Sequence, residues 1–403
     1  MTIAIIGGGA SGIAAALSAK RTNTKAHVIL LEGLDRVGKK ILATGNGRCN
    51  LGNADITAKH YHSHDAKRLR ELLKSMPSEM TVDFFRSIDL MCATEEMGRI
   101  YPYCRQAAMV LDILQLALSR AEIDVRCGQQ VTGIQQKKGR FLLRIEDQPS
   151  VQADKVILAC GGKAAPKQGV TGIGYLLAQS LGHSATKLFP HLVPLQCTNM
   201  PKGLKGIRVE GELSLLDESK RIGAELGEIQ LTDYGLSGIP AMQLSCLLDR
   251  CRKPVLQLDF FPTLSETELL QMLKQQIARN RKETLETALL GTIQKRVLFA
   301  LLKQLHIEPL SRKADSLSEK EIMRLARTLK SWTLPVTGTL TWEQAQVTGG
   351  GVPLSEIHED FSSCKCNGLY LTGELLDVSG DCGGYNLHWA WCSGIIAGTA
   401  AAE

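Results

Sequence analysis

The 403-residue chain carries 47 basic and 41 acidic side chains for a formal net charge of +6, with 44% hydrophobic and 22% charged residues. That balance is ordinary for a globular enzyme and too weakly basic to be a nucleic-acid signature by itself, while the length predicts two or three domains. No uncharged apolar run approaches the ~18 residues needed to span a bilayer, and the apolar start reads as a first strand without a basic leader, so no membrane partner is expected and the cytoplasm is the expected compartment.

The chain opens with a strand, Ile3 to Ile6, followed by Gly7, Gly9 and Gly12 in GxGxxG spacing and a helix from Ala10 to Lys20. A second strand, Ala26 to Leu31, ends in Glu32. Strand, glycines, helix, strand and terminal acid in this register predict a dinucleotide-binding βαβ unit, with Gly7, Gly9, Ser11 and Gly12 at the pyrophosphate and Glu32 at the adenosine ribose hydroxyls. A carboxylate there favours FAD or NAD over NADP, whose 2′-phosphate it would repel.

Residues 65 to 123 read as helical pieces around Met91 to Tyr103. Three short strands are predicted at Val125 to Gln135, Arg140 to Glu146 and Val151 to Leu158, a meander whose first strand brings the Val131 backbone toward an adenine. Val156 to Ala159 runs into a turn at Gly161 and Gly162. From Leu192 to Leu258, short alternating strands with turns at Lys202 to Gly206 and Asp217 to Lys220 predict a small barrel. Ser265 with Glu268, and Ser318 with Glu321, read as capping boxes that open helices in a subdomain whose Lys274, Arg279, Arg281, Lys282, Lys295 and Arg296 form a solvated basic face, with an RNA contact as the alternative. Glycines return at Gly349 to Gly351, and Gly383 to Asn386 lead into a closing apolar helix.

The twelve cysteines lack paired metal spacing, so no metal site is expected from them and free thiols are. His60, His62 and His64 alternate, but no carboxylate partner is evident nearby in sequence, and a solvated loop is the expectation. Cys49 and Cys382 are too far apart in sequence for the redox dithiol of a disulfide reductase.

Four segments, ILATGNGRCNLGN from Ile41, GGKAAPKQGVTGIGY from Gly161, LTDYGLSG from Leu231 and GELLDVSGDCGGYNLHWAWCSG from Gly373, together resemble the BaiN/YhiN-like bacterial flavoproteins. These are NAD(P)/FAD-dependent oxidoreductases grouped with aminoacetone oxidase family FAD-binding enzymes. The resemblance covers the whole chain and implies an α/β fold: a glutathione-reductase-type Rossmann FAD domain with an inserted small β-barrel and a helical subdomain. The expected segments are 1–190 and 333–403 for the FAD domain, 191–262 for the barrel and 263–332 for the helices.

The same resemblance implies bound FAD, with Gly45, Gly47, Arg48, Cys49 and Asn50 lining the pyrophosphate and isoalloxazine region and Lys39 and Lys40 screening the phosphates. Gly373 belongs to the second FAD strand, whose acid toward the ribityl chain is Glu374 or Asp377. Gly383, Gly384, Tyr385, Asn386 and Leu387 are expected to turn the N-terminus of the last helix toward the flavin N1/C2=O edge, where partial positive charge favours negative charge on the ring. The chain departs from the commoner family pattern at Asp233, Ile173 and His388, and His388, Asp233 and Arg48 are the candidates for a catalytic role.

The activity implied is an FAD-dependent oxidoreductase that accepts hydride from NAD(P)H and reduces an activated C=C or C=N bond of a small organic substrate. Gly169, Gly172 and Gly174 run in the wrong order for a second Rossmann fingerprint, so NAD(P)H is expected to dock only transiently. An enzyme reducing uridine in ribosomal RNA, and a flavin-binding protein without catalysis, are the alternatives.

Overall fold

A computed structural model describes residues 1–403. The chain folds as two units, Met1–His191 with Trp342–Glu403, and Leu192–Thr341.

In the first unit, Thr2–Ile6, His27–Leu31, Lys155–Leu158 and Leu369–Leu371 are short and nearly all apolar, the pattern of parallel strands covered on both faces. With Asp124–Arg126 they form a five-stranded parallel sheet in the order Leu369–Leu371, Lys155–Leu158, Thr2–Ile6, His27–Leu31, Asp124–Arg126. This is the Rossmann arrangement read from the opening motif.

The meander is present with different limits: Val131–Lys137, Arg140–Ile145 and Gln148–Ala153 pair antiparallel. The predicted first strand breaks at Gly128, which leaves Asp124–Arg126 to join the parallel sheet. The predicted third strand breaks at Asp154. Its carboxylate accepts the Thr2 N–H at 2.7 Å and its own N–H donates to the Thr2 carbonyl, which hands the chain from the meander to the parallel sheet. The helical pieces expected around Met91 to Tyr103 are present, at Ala66–Leu73, Ser78–Arg86 and Ala107–Arg120, and the stretch between them is extended. Cys92–Thr94 and Arg99–Pro102 pair with each other, and the latter also with Gly52–Asn53, in a small antiparallel sheet.

The first helix, Ala10–Thr22, is alanine-rich and buried at Ser11 to Ala16, Ser18 and Ala19, so it is covered by the sheet on one side and by the closing helix, Tyr385–Ala402, on the other. The two backbones touch. A Cβ on Gly394 would overlap the Ser11 carbonyl oxygen, and one on Gly398 would overlap that of Ala15. Because 394 meets 11 and 398 meets 15, the helices run parallel. The closing helix also buries His388, whose Nε2 donates to the Met76 carbonyl at 3.0 Å and whose Nδ1 accepts from the Thr81 hydroxyl at 2.8 Å. Burial lowers its pKa to about 4.

In the second unit, Leu195–Cys197, Arg208–Asp217, Lys220–Leu231, Gly235–Ser237, Pro254–Asp259 and Trp332–Thr339 close a six-stranded barrel, with Asp217 opposite Lys220 across a tight hairpin. The helices Glu266–Arg279, Leu285–Ala288, Lys295–Gln304 and Glu319–Lys330 lie between the last two strands and share one core with them. Both capping boxes are formed, at Ser265 with Glu268 and Ser318 with Glu321. The return to the first unit comes at Trp342 and not at 333, because Trp332–Thr339 hydrogen-bonds to Pro254–Asp259 and Leu195–Cys197 as a barrel strand. No helix is long and apolar enough to cross a membrane.

Two outcomes follow from the closing helix. Gly398→Ala gains about 1 kcal/mol of helix propensity but forces the helices apart, and the overpacking wins by a net loss of ~2 kcal/mol, read as a lower denaturant midpoint. For His388, an ordinary unfolded pKa of about 6.5 above a folded pKa near 4 means that the unfolded chain binds the proton first. Stability is therefore complete above about pH 6.5 and falls as pH drops toward 4, by ~3 kcal/mol from this group. His388→Gln should flatten that part of the pH–stability curve, and parallel curves for the two proteins would disprove it.

Candidate active site

The glycines of the opening motif divide their tasks. Gly7 has φ of +105°, and a Cβ there would stand 2.5 Å from the Ala159 carbonyl oxygen. A Cβ on Gly12 would overlap the Gly7 carbonyl, whereas one on Gly9 meets nothing within 4 Å. Gly7 and Gly12 therefore let strand and helix pack, and Gly9 faces open space at the helix N-terminus. That helix has no side-chain cap and no acid in its first turn, so its N–H groups are free for an anion. The Glu32 carboxylate accepts the Gly8 N–H at 2.7 Å and the Leu34 N–H at 2.9 Å, which locks it beside the glycines. Its backbone carbonyl accepts the Gln129 N–H, bringing buried Val131 to the same edge. Gly161 turns the chain out of the neighbouring strand, and Ser11 lies buried beneath Gly373.

The segment Lys39–Gly47 winds in short 3₁₀ turns interrupted at Thr44, Gly45 and Asn46. It folds back so tightly that a Cβ on Gly45 would stand 2.7 Å from the Asn50 nitrogen, while Gly47 faces open space. Arg48 lays its guanidinium over the Tyr101 ring at 4.6 Å and donates to its hydroxyl at 3.3 Å, which fixes a positive charge on an otherwise long and mobile side chain. Cys49 is fully buried, and burial pushes its thiol up to about 12, so it is neither thiolate nor nucleophile. The Asn50 Oδ1 is buried without a hydrogen-bond partner, directly beneath Gly384.

The two carboxylates left open by the sequence occupy different places. Glu374 accepts from Thr348 through its N–H at 2.9 Å and its hydroxyl at 2.8 Å, and pairs with Lys40 at 2.9 Å. Asp377 is 2% exposed and accepts from the His64 backbone N–H at 3.1 Å and Nδ1 at 2.9 Å, with burial raising its pKa. Thr348 and Lys40 thus hold Glu374, and Asp377 turns instead to His64. Lys39 is partly exposed beside Lys40.

Gly384, at φ +101°, is the N-cap of the closing helix, again with no side-chain cap and no acid in the first turn. Asn53 holds the lip before it by donating to the Gly383 carbonyl at 3.0 Å and the Met97 carbonyl at 3.1 Å. Asn386 spends its amide on both backbone groups of Gly380 at 2.7 Å, and Tyr385 is buried with His60 stacked on it at 4.4 Å. Leu387 packs on the core. These side chains shape the lip, and the uncapped N–H groups remain. Since the two helices run parallel with Gly394 beside Ser11, the closing helix starts roughly 12 Å before the first one at ~1.5 Å per residue. Two electropositive helix ends therefore face the same way.

Several sequence candidates lie elsewhere. His388 has both nitrogens committed inside the protein, so it is a packing residue, as its place on the buried side of the closing helix dictates. Asp233 is exposed in a barrel turn beside Lys205 at 3.3 Å. The neighbouring aromatic residues of the closing helix are packing residues too: Trp389 donates to the Gly373 carbonyl at 3.0 Å and Trp391 packs between Phe84 and Phe85, both in the core. The histidines are not a solvated loop: Tyr61–His62 pairs with Ser379–Gly380, and Asp381 meets both His60 and His62. Two of their carboxylates, Asp377 and Asp381, arrive from more than 300 residues away, and a third, Asp55, stands only five residues before His60 and 3.2 Å from its Nε2. The alternation of the three histidines, set beside Asp377 and Asp381 four residues apart, was the available signal.

The family described as HI0933-like protein Rossmann domain matches residues 1–400. A 3-dehydro-bile acid delta(4,6)-reductase of Clostridium scindens is 39% identical over 100% of this chain and 99% of its own length. A ribosomal RNA dihydrouridine synthase of Haemophilus influenzae is 25% identical over 96% of this chain and 95% of its own. Among solved structures, a 3-ketosteroid-delta4-(5alpha)-dehydrogenase of Rhodococcus jostii aligns with 14% identity and a TM-score of 0.49 over 100% of this chain and 96% of that one. With the nucleotide cradle, the parallel sheet and a match over nearly its whole length, the chain belongs to the HI0933-like Rossmann family.

Proposed function

We propose that the protein is an FAD-dependent oxidoreductase that saturates an activated C=C bond of a small, largely apolar carbonyl substrate, with NAD(P)H docking transiently as the hydride donor. The observation that carries this reading is the pair of parallel, uncapped helix N-termini offset by roughly 12 Å, a span that the ribityl linker between a pyrophosphate and a flavin ring can bridge. The open space at Gly9 and the unpartnered Asn50 Oδ1 also fit a bound dinucleotide.

FAD, when bound, supplies two-electron hydride transfer. The residues of this chain do the rest. The first helix N-terminus would hold the pyrophosphate with Lys39 beside it, Lys40 being bound to Glu374, and Glu32 would accept from the ribose hydroxyls. The uncapped N-terminus at Gly384 would favour negative charge on a flavin held there, and Arg48, steadied on Tyr101, would orient the substrate carbonyl. The substrate class is supported by the delta(4,6)-reductase activity of the 39% identical relative.

The second reading, a ribosomal RNA uridine reductase, draws on the 25% identical relative. Delta(4,6)-reductase and dihydrouridine synthase both denote saturation of a carbon–carbon double bond, so the two readings share their chemistry. The small-molecule reading is favoured because the relative that carries it is 39% identical, against 25% for the ribosomal RNA enzyme.

Gly9→Val tests the cofactor site. The variant should keep the wild-type urea midpoint as apoprotein, because its side chain enters open space, and lose FAD affinity by at least ~100-fold, about 2.7 kcal/mol. Retention of tight FAD binding would move the pyrophosphate elsewhere. Anaerobic mixing with NADH or NADPH should bleach the flavin band, and a conjugated steroid enone should restore it. Bleaching reversed by ribosomal RNA and not by the enone would establish the second reading, and a flavin that no nicotinamide reduces would remove that donor.

A further inference from the structure

The histidine segment 60–64 takes no part in the cofactor contacts above, yet it is built into their edge. Asp381, three residues before Gly384, is shared by two imidazoles: its Oδ1 lies 2.9 Å from His62 Nε2 and its Oδ2 3.1 Å from His60 Nδ1. His60 in turn places Nε2 3.2 Å from Asp55 and stacks on Tyr385, the first residue of the closing helix. The His62 side chain is 16% exposed and meets the His191 ring edge-on at 6.2 Å. The His191 ring covers Gly349, next to the Thr348 that holds Glu374. One nitrogen of His62 is thus tied to a carboxylate, and its Nδ1 makes no hydrogen bond within the protein. A carboxylate on one imidazole nitrogen fixes the tautomer, aims the other nitrogen and stabilises the imidazolium.

We propose that His62, oriented by Asp381, is the acid that protonates the substrate in the reduction described above. The proposal rests on that reading. Hydride adds to one carbon of the double bond, and the π electron pair moves to the other carbon. That pair takes the proton from Nδ1 of the imidazolium, leaving neutral imidazole with its Nε2–H still on Asp381, and solvent returns the proton. Two electrons and two hydrogens reach the substrate, and no other reactant is needed. His60 and Asp381 are positioning residues, since His60 holds the second oxygen of Asp381.

The test separates the two half-reactions of the FAD-loaded protein. In His62→Gln, reduction by the nicotinamide and the visible flavin spectrum should stay within about twofold of wild type, while reoxidation by the conjugated enone slows at least ~100-fold. A readout independent of turnover is the ¹⁵N spectrum of the imidazoles. Neutral His62 should carry its proton on Nε2, and Asp381→Asn should shift it toward Nδ1 even in apoprotein. Reoxidation of His62→Gln within about threefold of wild type, or a His62 tautomer indifferent to Asp381→Asn, overturns the proposal and leaves the reductase standing. A wild-type protein whose reduced flavin no unsaturated carbonyl reoxidises overturns the reductase, and the acid role of His62 falls with it.

Discussion

The contact on which the rest depends is backbone against backbone: Gly394 on Ser11 and Gly398 on Ala15. Helices that touch this closely admit no side chain between them, so the first and last elements of the Rossmann unit are held in one register. The register makes the helices parallel and sets their offset, and thereby places the two uncapped N-termini on one side. Residues 39–50 and 373–386 are then arranged around those ends, with Asn50 beneath Gly384 and Lys40 bound to Glu374. A shift of the closing helix by one turn, ~5.4 Å, would carry Gly384 away from Asn50 and break the backbone contacts at Gly394 and Gly398.

Electrostatics at the site follows one rule: every carboxylate near the helix ends is engaged within the protein. Glu32 accepts backbone N–H groups, Glu374 takes Lys40 and Thr348, Asp377 takes His64, and Asp381 takes His60 and His62. Repulsion of a bound phosphate is thereby reduced, and the helix ends and Lys39 are left to attract it. The thiols obey the same economy, since burial raises Cys49 and Cys160 to about 12 and keeps them out of the chemistry.

Local motifs were legible where chemistry and spacing coincide within a few residues. The opening βαβ, the two capping boxes and the Asp217–Lys220 hairpin are of this kind, because each is specified by neighbouring side chains and backbone. The meander shows the limit. Its composition predicts strands, but Asp154 ends one of them by bonding to Thr2 from across the chain, and nothing local announces that partner. The helices around 91–103 were legible, whereas the strands within that stretch exist only by pairing with each other and with Gly52–Asn53.

The sequence by itself determined the element types of the Rossmann unit, the barrel, the capped helices and the glycines that make a nucleotide cradle, since these rest on periodicity, propensity and local hydrogen bonds. Only the tertiary structure decided that His388 is a packing residue, that Glu374 and Asp377 part company, that Trp332–Thr339 closes the barrel and that Asp381 makes His60 and His62 one group. Each of those outcomes is a pairing across a long stretch of chain. Such a pairing is set by which faces the fold brings together, a property of packing that adjacent residues do not encode.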